Sequence, residues 1–175
     1  MKAMSRQEPT FEQALNAAML WCNAWEKGEL SDEVLADRVS DLLVTKDGAR
    51  GFFVISLASD NPLMDRLPEA LVLQLRTAGE IVIDLTVRNL AMSTAMALHH
   101  QRKENLKQQA GSERVTARCL DLLRLLDPNN VKKRLETLLE ATKGEGDDVE
   151  FLERWGYDNQ QILAIADNIY SIAEN

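Results

Sequence analysis

The only two histidines of the chain, His99 and His100, are adjacent within a long stretch whose composition predicts a helix. Neighbouring residues on a regular helix point about 100° apart, so the two imidazoles cannot bind one metal ion together. A di-iron helical bundle would need Glu-x-x-His pairs, whereas Met96 and Ala97 stand three residues before the two histidines. His100 and Glu104 are four residues apart, which is a weak pattern for a shared metal ion. The sequence therefore predicts neither a metal site nor a cofactor.

One face of the same predicted helix carries polar groups along an otherwise apolar surface. Its members are separated by four, three and four residues, and they are Asn89, Ser93, Met96 and His100. Polar groups in such a position need partners inside the fold or in a bound ligand. We therefore predict this face as a candidate lining for a ligand pocket. Hydrogen bonds to neighbouring helices are the alternative explanation.

Positive charge is concentrated in residues 99–118, which contain five Lys or Arg residues and two acidic ones, within a chain of net charge −8. The pair Gly111-Ser112 predicts a turn, with Ser112 capping a new helix whose free N–H groups would face an anion. Arg114 and Arg118, four residues apart, would add positive charge to that site. The sequence thus predicts binding of a small anionic ligand, or of the acidic surface of a partner. A solvated charged face is the alternative.

The helix that must position these side chains covers residues 80–101. It contains no Gly or Pro and is apolar on every side, which is typical of a helix buried at the centre of a fold. Asp84 and Arg88 stand four apart with the acid first, the favourable order for an ion pair within a helix. These two residues and Asn89 interrupt the apolar run, so the sequence argues against a membrane span. We expect the helix to extend towards Gln109, where the composition becomes fully polar.

The remaining pattern predicts further amphipathic helices. Thr10 with Gln13 forms a capping-box pattern, Ser31 is a typical cap, and Asp127-Pro128 is a strong helix start. The run Phe52 to Ala58 suits a strand as well as a buried helix. We predict a helix there, because an isolated strand would lack a partner.

These patterns predict an all-α fold, a single-domain multi-helix bundle around the central helix. Residues 1–146 are expected to form the body of the bundle. Residues 147–175 are predicted to form a C-terminal helical hairpin, which is too short for a core of its own and must dock on the body or on a partner subunit.

Composition and net charge limit the partners and the cellular compartment that we expect for the protein. A net charge of −8 disfavours binding to nucleic acid or to an anionic membrane, since the long-range field repels phosphates. Cys22 and Cys119 have no zinc-binding spacing and lie in apolar helical patterns, which indicates free buried thiols in a reducing compartment. The first nine residues lack the apolar segment of a secretory signal. The expected location is the cytoplasm.

No phosphate-binding loop, dinucleotide fingerprint, zinc-protease or serine-hydrolase motif occurs in the sequence. The leading hypothesis is therefore a soluble, non-catalytic interaction or regulatory protein that forms a homo-oligomer, most simply a homodimer. The alternative is a protein or enzyme that binds a small anionic ligand at the C-terminal half of the central helix. The sequence leaves the question of catalysis open between these two.

Overall fold

The computed structural model describes residues 8–173, which form nine α-helices, one short 3-10 helix and no strand. The prediction of an all-α fold is confirmed. In chain order the elements are α1 Phe11–Glu26, α2 Asp32–Leu42, α3 Lys46–Ala58, the 3-10 helix Pro62–Asp65, α4 Glu69–Ala78, α5 Glu80–Arg102, α6 Leu106–Leu125, α7 Pro128–Thr142, α8 Val149–Arg154 and α9 Asn159–Ala173.

Several helices begin where the capping patterns predict. Thr10 Oγ1 accepts a hydrogen bond from Gln13 N at 3.1 Å, and Gln13 Oε1 accepts one from Thr10 N at 3.0 Å, which completes the capping box of α1. Ser31 caps α2, and Asp127 caps α7 with proline at the first helical position. The ambiguous run from Phe52 belongs to α3, so the helical prediction is confirmed.

The turn between α5 and α6 corrects the predicted length of the central helix. That helix ends at Arg102 rather than continuing towards Gln109. Glu104 adopts a left-handed conformation with φ of 56°, and Asn105 N donates to His100 O at 2.9 Å. This arrangement is a helix-ending motif that normally places glycine at the left-handed position. Because glutamate occupies this position instead of glycine, the motif could not be predicted from the sequence.

A second correction concerns Gly111 and Ser112, which were predicted to break the chain. They lie inside α6, and the N-cap of that helix is Asn105, whose side chain accepts from Gln108 N at 3.2 Å. A single glycine inside a helix costs about 1 kcal/mol relative to alanine, which a helix of this length tolerates. Ser112 therefore caps no helix.

The described residues form two compact units, one ending at Ile81 and the other beginning at Val82. This division differs from the boundary that the sequence predicts after Gly146. Residues 147–173 lie in the second unit, where α8 and α9 both pack against α7.

In the first unit, α1 packs against α3, and α2 packs against α4. The contact between α1 and α3 is close because Gly51 has no side chain: a Cβ there would lie 2.6 Å from Ala14 Cβ. Asn61 adds a polar link, since its Nδ2 donates to Cys22 O at 2.9 Å. The largest fully buried side chains of this unit are Leu35, Phe52, Phe53, Leu57, Leu63, Leu71 and Leu75.

In the second unit, α5 is the central helix. Its side chains reach α6 through Ser93, α7 through Asp84 and α9 through Thr94. By length and composition alone α5 could cross a membrane, yet 56% of its apolar window is buried inside the protein. The core helix of a soluble protein has this property. Fully buried side chains of the unit include Leu90, Leu122, Leu123, Leu138 and Ile165.

Candidate functional site

The first half of the predicted pocket face is used for packing inside the second unit. Ser93 is 6% exposed, and its Oγ lies 2.7 Å from Thr116 Oγ1 of α6. Asn89 Nδ2 donates to Leu85 O of its own helix at 2.8 Å. The polar groups that suggested a ligand therefore bind neighbouring groups of the protein, which is the alternative explanation of the pattern.

The second half of that face reaches the surface. Met96 is 40% exposed, and His100 is half-buried. The His99 and His100 rings contact each other edge to face with centroids 5.4 Å apart, although they diverge along the helix. The four predicted residues thus share a helix face, but Ser93 is buried whereas Met96 is exposed.

The predicted anion-binding residues do not surround a helix start. Ser112 lies in the interior of α6, and its carbonyl accepts from Thr116 Oγ1 at 3.2 Å. Its backbone N–H is therefore not one of the free groups that attract anions at a helix N-terminus. Arg118 is 3% exposed and Arg114 is half-buried, and both side chains already interact with other groups.

A network of four charged side chains links α5, α7 and the start of α8. Arg134 Nε donates to Asp84 Oδ1 at 3.0 Å, and Arg88 Nε donates to Asp84 Oδ2 at 3.1 Å. Arg134 also binds Asp148 through two parallel hydrogen bonds, one of them 3.1 Å from Nη2 to Oδ1. The Arg134 and Asp148 side chains are only 17% and 7% exposed. Two arginines and two aspartates leave this cluster without net charge.

The cluster is best explained by packing. The Arg88 guanidinium also lies over the Phe151 ring, 5.1 Å from its centroid, which fixes α8 against α5. The predicted ion pair of Asp84 with Arg88 is confirmed, whereas sequence reasoning missed Arg134 and Asp148. Arg134 adjoins the apolar stripe of α7 next to Leu135, and a charge at the edge of a stripe is the only signal that pointed to it.

A second charged group lies where α5 ends and α9 begins. Arg102 Nη1 lies 2.6 Å from Asp158 Oδ2, and Arg102 Nη2 lies 2.7 Å from Gln160 Oε1. Asp158 Oδ1 also accepts from Gln161 N at 3.0 Å. The Arg102 hydrogen bond, followed by that of the Gln161 backbone, lowers the pKa of Asp158 from 3.8 to about 2. The pair is therefore fully ionised at neutral pH.

Two large exposed apolar side chains lie near this ion pair in the sequence. Leu106, four residues after Arg102, is 77% exposed, and Trp155, three residues before Asp158, is 53% exposed. The contact of Arg102 with Asp158 joins the two chain segments that carry these apolar side chains. We refer to Arg102, Leu106, Trp155 and Asp158 with their exposed charged neighbours as the end surface. Sequence reasoning missed it, because its segments are far apart in the sequence, with Arg102 and Asp158 separated by 56 residues.

The two cysteines are poor candidates for chemistry. Both are buried, and burial raises the pKa of Cys22 and of Cys119 to about 12. A thiol must be deprotonated to act as a nucleophile or a metal ligand, so both are inert at neutral pH. Between residues 8 and 173, no group of three or more His, Cys, Asp or Glu side chains is arranged to hold a metal ion.

Comparison with known proteins identifies a family without assigning an activity. The model of a family described as uncharacterised conserved protein UCP020893 matches residues 10–172. We found no match among curated proteins and none among solved structures.

Proposed function

The chain belongs to this family of uncharacterised conserved proteins, and we propose that it is a soluble, non-catalytic interaction protein of the cytoplasm that works as a homodimer. The observation that supports this proposal most directly is the end surface. Single exposed apolar side chains are common on soluble proteins. A surface that combines an exposed tryptophan and an exposed leucine with a paired arginine is less common. Trp and Arg are enriched at the energetically important centres of protein interfaces.

The use of polar groups inside the second unit also favours this proposal. Ser93 and Thr116 bind each other, and Asn168 Nδ2 donates to Thr94 Oγ1 at 2.8 Å. Gln161 Nε2 donates to the Ala95 carbonyl at 3.1 Å. These polar groups of α5 thus form hydrogen bonds with neighbouring helices. This weakens the case for a ligand pocket along its face.

Native mass spectrometry of the protein purified from its own host tests the proposal. We expect the mass of two chains with nothing added, and a dimer that persists on dilution through the micromolar range. Sedimentation at the same concentrations gives the state in solution. A protein that sediments as one chain throughout that range contradicts the homodimer.

The alternative function is binding of a small anionic ligand. It would use the part of the predicted face that reaches the surface, where Met96 is 40% exposed and His100 is half-buried. The same mass spectrum tests this function: a mass above a whole number of chains would indicate a retained molecule. That excess should disappear in His100→Ala or Arg118→Ala if the predicted face binds it. Unchanged excess mass in both variants excludes this face.

Point variants test assembly more cleanly than truncation of the predicted C-terminal hairpin. Removing everything after Gly146 takes away Asp148, Gln161 and Asn168, whose side chains bind Arg134, Ala95 and Thr94. A truncated chain would therefore lose packing inside the second unit as well as any surface for a partner.

A further inference from the structure

We infer that the first unit binds an amphipathic helix of a partner protein, with basic residues at one end of that helix, along the seam between α1 and α3. The apolar residues that flank this seam are Phe11, Leu15 and Met19 of α1 and Val54 and Ala58 of α3, and we refer to these five as the seam surface. The inference goes beyond the proposed homodimer, because it concerns a different surface and a different partner.

Contacts near both ends of the two helices show that α1 and α3 run in the same direction. Near their starts, the Arg50 guanidinium lies 5.0 Å from the centroid of the Phe11 ring. Near their ends, Asn61, which follows α3, donates from Nδ2 to Cys22 O of α1 at 2.9 Å. The seam between the two helices is therefore continuous from one end to the other.

The contact of Phe11 with Arg50 also brings two rows of side chains next to each other. Residues four apart share one face of a helix. The rows that continue from these two residues complete the seam surface, with Leu15 and Met19 after Phe11, and Val54 and Ala58 after Arg50. Because the helices are parallel, the two rows stay adjacent along the seam.

The seam surface is apolar and accessible. Met19 is 45% exposed and Val54 is 46% exposed, Ala58 is exposed, and Phe11 and Leu15 are half-buried. Apolar side chains that are exposed together, rather than singly, mark interaction sites. A long apolar seam between two helices suits the apolar face of a third helix, which is a common mode of peptide recognition. The flexible thioether side chain of Met19 can adapt to such a partner.

Charges are balanced at the end of the seam where both helices begin. The first turn of α1 contains Glu12 and the first turn of α3 contains Asp47. Acidic side chains at these positions compensate the positive ends of the two helix dipoles. Arg50, the exposed base at this end, is paired with Asp47 at 3.3 Å. This end therefore has no strong preference for a charged partner.

The end of the seam where both helices stop is acidic. Neither α1 nor α3 has a basic residue in its last turn, so the negative ends of both dipoles are uncompensated there. Glu26 and Asp60 are exposed, and the contact of Asn61 Nδ2 with Glu26 Oε2 at 3.2 Å brings their two segments together. Lys27, the cap of α1, lies about 100° further round that helix, off the seam. Lysine or arginine of the partner helix complements this end.

Two synthetic helical peptides test the inference with the full chain. Both carry leucine at every third or fourth position and alanine or glutamine elsewhere. The last turn contains lysines in the first peptide and glutamates in the second. By fluorescence anisotropy of labelled peptide, the lysine peptide should bind at least about tenfold more tightly than the glutamate peptide, and this preference should shrink with salt. Equal binding of the two peptides, or binding of neither at high micromolar protein, overturns the inference.

A double substitution tests the location. Met19→Gln with Val54→Gln should raise the Kd of the lysine peptide at least about tenfold, because polar groups then replace apolar contacts. The matched control is Leu20→Gln with Leu73→Gln, which changes two leucines that are 66% and 62% exposed outside the seam surface. Its Kd should be unchanged. Far-UV circular dichroism checks that each variant is folded. Equal effects of the two double substitutions overturn the location.

A single substitution tests the charge. Glu26→Gln removes one carboxylate from the acidic end and keeps an oxygen that can accept from Asn61. It should weaken the lysine peptide severalfold and leave the glutamate peptide unweakened. Glu33→Gln, at an exposed acid of α2, makes the same change in net charge and should have no effect. Equal weakening by both substitutions would mean that only net charge attracts the peptide.

Sedimentation of the same variants separates this inference from the proposed homodimer. A wild-type dimer that Met19→Gln with Val54→Gln dissociates assigns the seam surface to a second copy of the chain. That result overturns the basic partner helix and leaves the homodimer standing. A dimer that keeps its Kd while losing the lysine peptide supports both proposals. A wild type that is monomeric but binds the lysine peptide at the seam surface contradicts the homodimer alone.

Discussion

Asp158 combines two structural tasks in one side chain. Its carboxylate accepts from Gln161 N at 3.0 Å, and its own N donates to Gln161 Oε1 at 3.0 Å, which forms a capping box at the start of α9. The same carboxylate accepts two hydrogen bonds from Arg102 at the end of α5. An acid that starts one helix thus also holds the end of another.

This double use predicts a dependence of stability on pH. The folded-state pKa of Asp158, about 2, lies below its ordinary value of 3.8. Asp158 therefore stabilises the fold fully above pH 3.8, and this contribution is lost as the pH falls towards 2. We expect Asp158→Asn to be less stable at neutral pH and to lose less stability between pH 4 and pH 2. Thermal melts of both proteins across that range measure it. Parallel losses in the two proteins would contradict the assignment.

The backbone conformation of Glu104 leads to a second prediction about a single residue. Its φ of 56° lies in the left-handed region, which costs an L-residue about 1–2 kcal/mol and costs glycine almost nothing. Glu104→Gly should raise the free energy of unfolding by about 0.5–1 kcal/mol, which is less than the strain it removes, because glycine also loses more conformational freedom on folding. Urea denaturation measures the change. Glu104→Ala removes the charge but keeps Cβ, so equal effects of both substitutions would refute the conformational explanation.

Gly51 of helix α3 and Gly111 of helix α6 have opposite roles. A Cβ at Gly51 would lie 2.6 Å from Ala14 Cβ and 2.8 Å from Leu15 N, so this glycine lets α1 and α3 approach closely. A Cβ at Gly111 would meet nothing within 4 Å. The first glycine is required by packing, and the second only weakens its helix.

Alanine substitutions at these two positions should therefore have opposite effects. Gly51→Ala should destabilise the protein by about 1–3 kcal/mol, because the helices must move apart. Gly111→Ala should stabilise it by about 1 kcal/mol, because alanine is the better helix former. Denaturant unfolding of both variants tests the pair, each serving as control for the other. A stabilising Gly51→Ala would mean that the contact between α1 and α3 adapts easily.

The helix starts show which elements could be predicted from the sequence. Caps such as Thr10, Ser31 and Asp127 act through local hydrogen bonds, so their helix starts were predictable. The start of α6 was not, because Asn105 is hidden in a polar stretch and Gly111 suggested a break. Propensity measures local cost only, and the tertiary packing of α6 outweighs the cost of one glycine.

The candidate site was less predictable than the helices. Spacing correctly placed Asn89, Ser93, Met96 and His100 on one helix face, but it could not show what lies opposite that face. Thr116 lies on the following helix, and only the folded chain brings its hydroxyl to Ser93. The end surface depends in the same way on Arg102 meeting Asp158 across 56 residues of sequence.

At the scale of the whole molecule, the net charge predicts that the protein does not bind nucleic acid. A net charge of −8 repels phosphate groups at long range, and the lysines of the end surface adjoin acidic residues. We expect no shift of single-stranded or duplex nucleic acid in gels at low salt and micromolar protein. Low salt is the most permissive condition, so a shift there would show that local positive charge outweighs the net charge.

The division into two compact units has a weak signal in the sequence, since Gly79 ends α4 two residues before Ile81. Domain boundaries usually fall in exposed linkers rich in glycine, proline or polar residues. Here the boundary falls between Ile81 and Val82, inside helix α5 and within an apolar run. The predicted boundary after Gly146 rests on the glycine and charge pattern at residues 143–148, and it stays a prediction.

The position of Trp155 also gives the protein a built-in optical probe. The chain has three tryptophans, of which Trp21 and Trp25 lie in the first unit and Trp155 lies in the second. The half-exposed indole of Trp155 should emit at longer wavelength than the other two and be the most accessible to acrylamide. Trp155→Phe leaves fluorescence that reports on the first unit alone, whereas circular dichroism reports on all helices. Melting curves from the two methods then reveal whether the units unfold in one transition or in two.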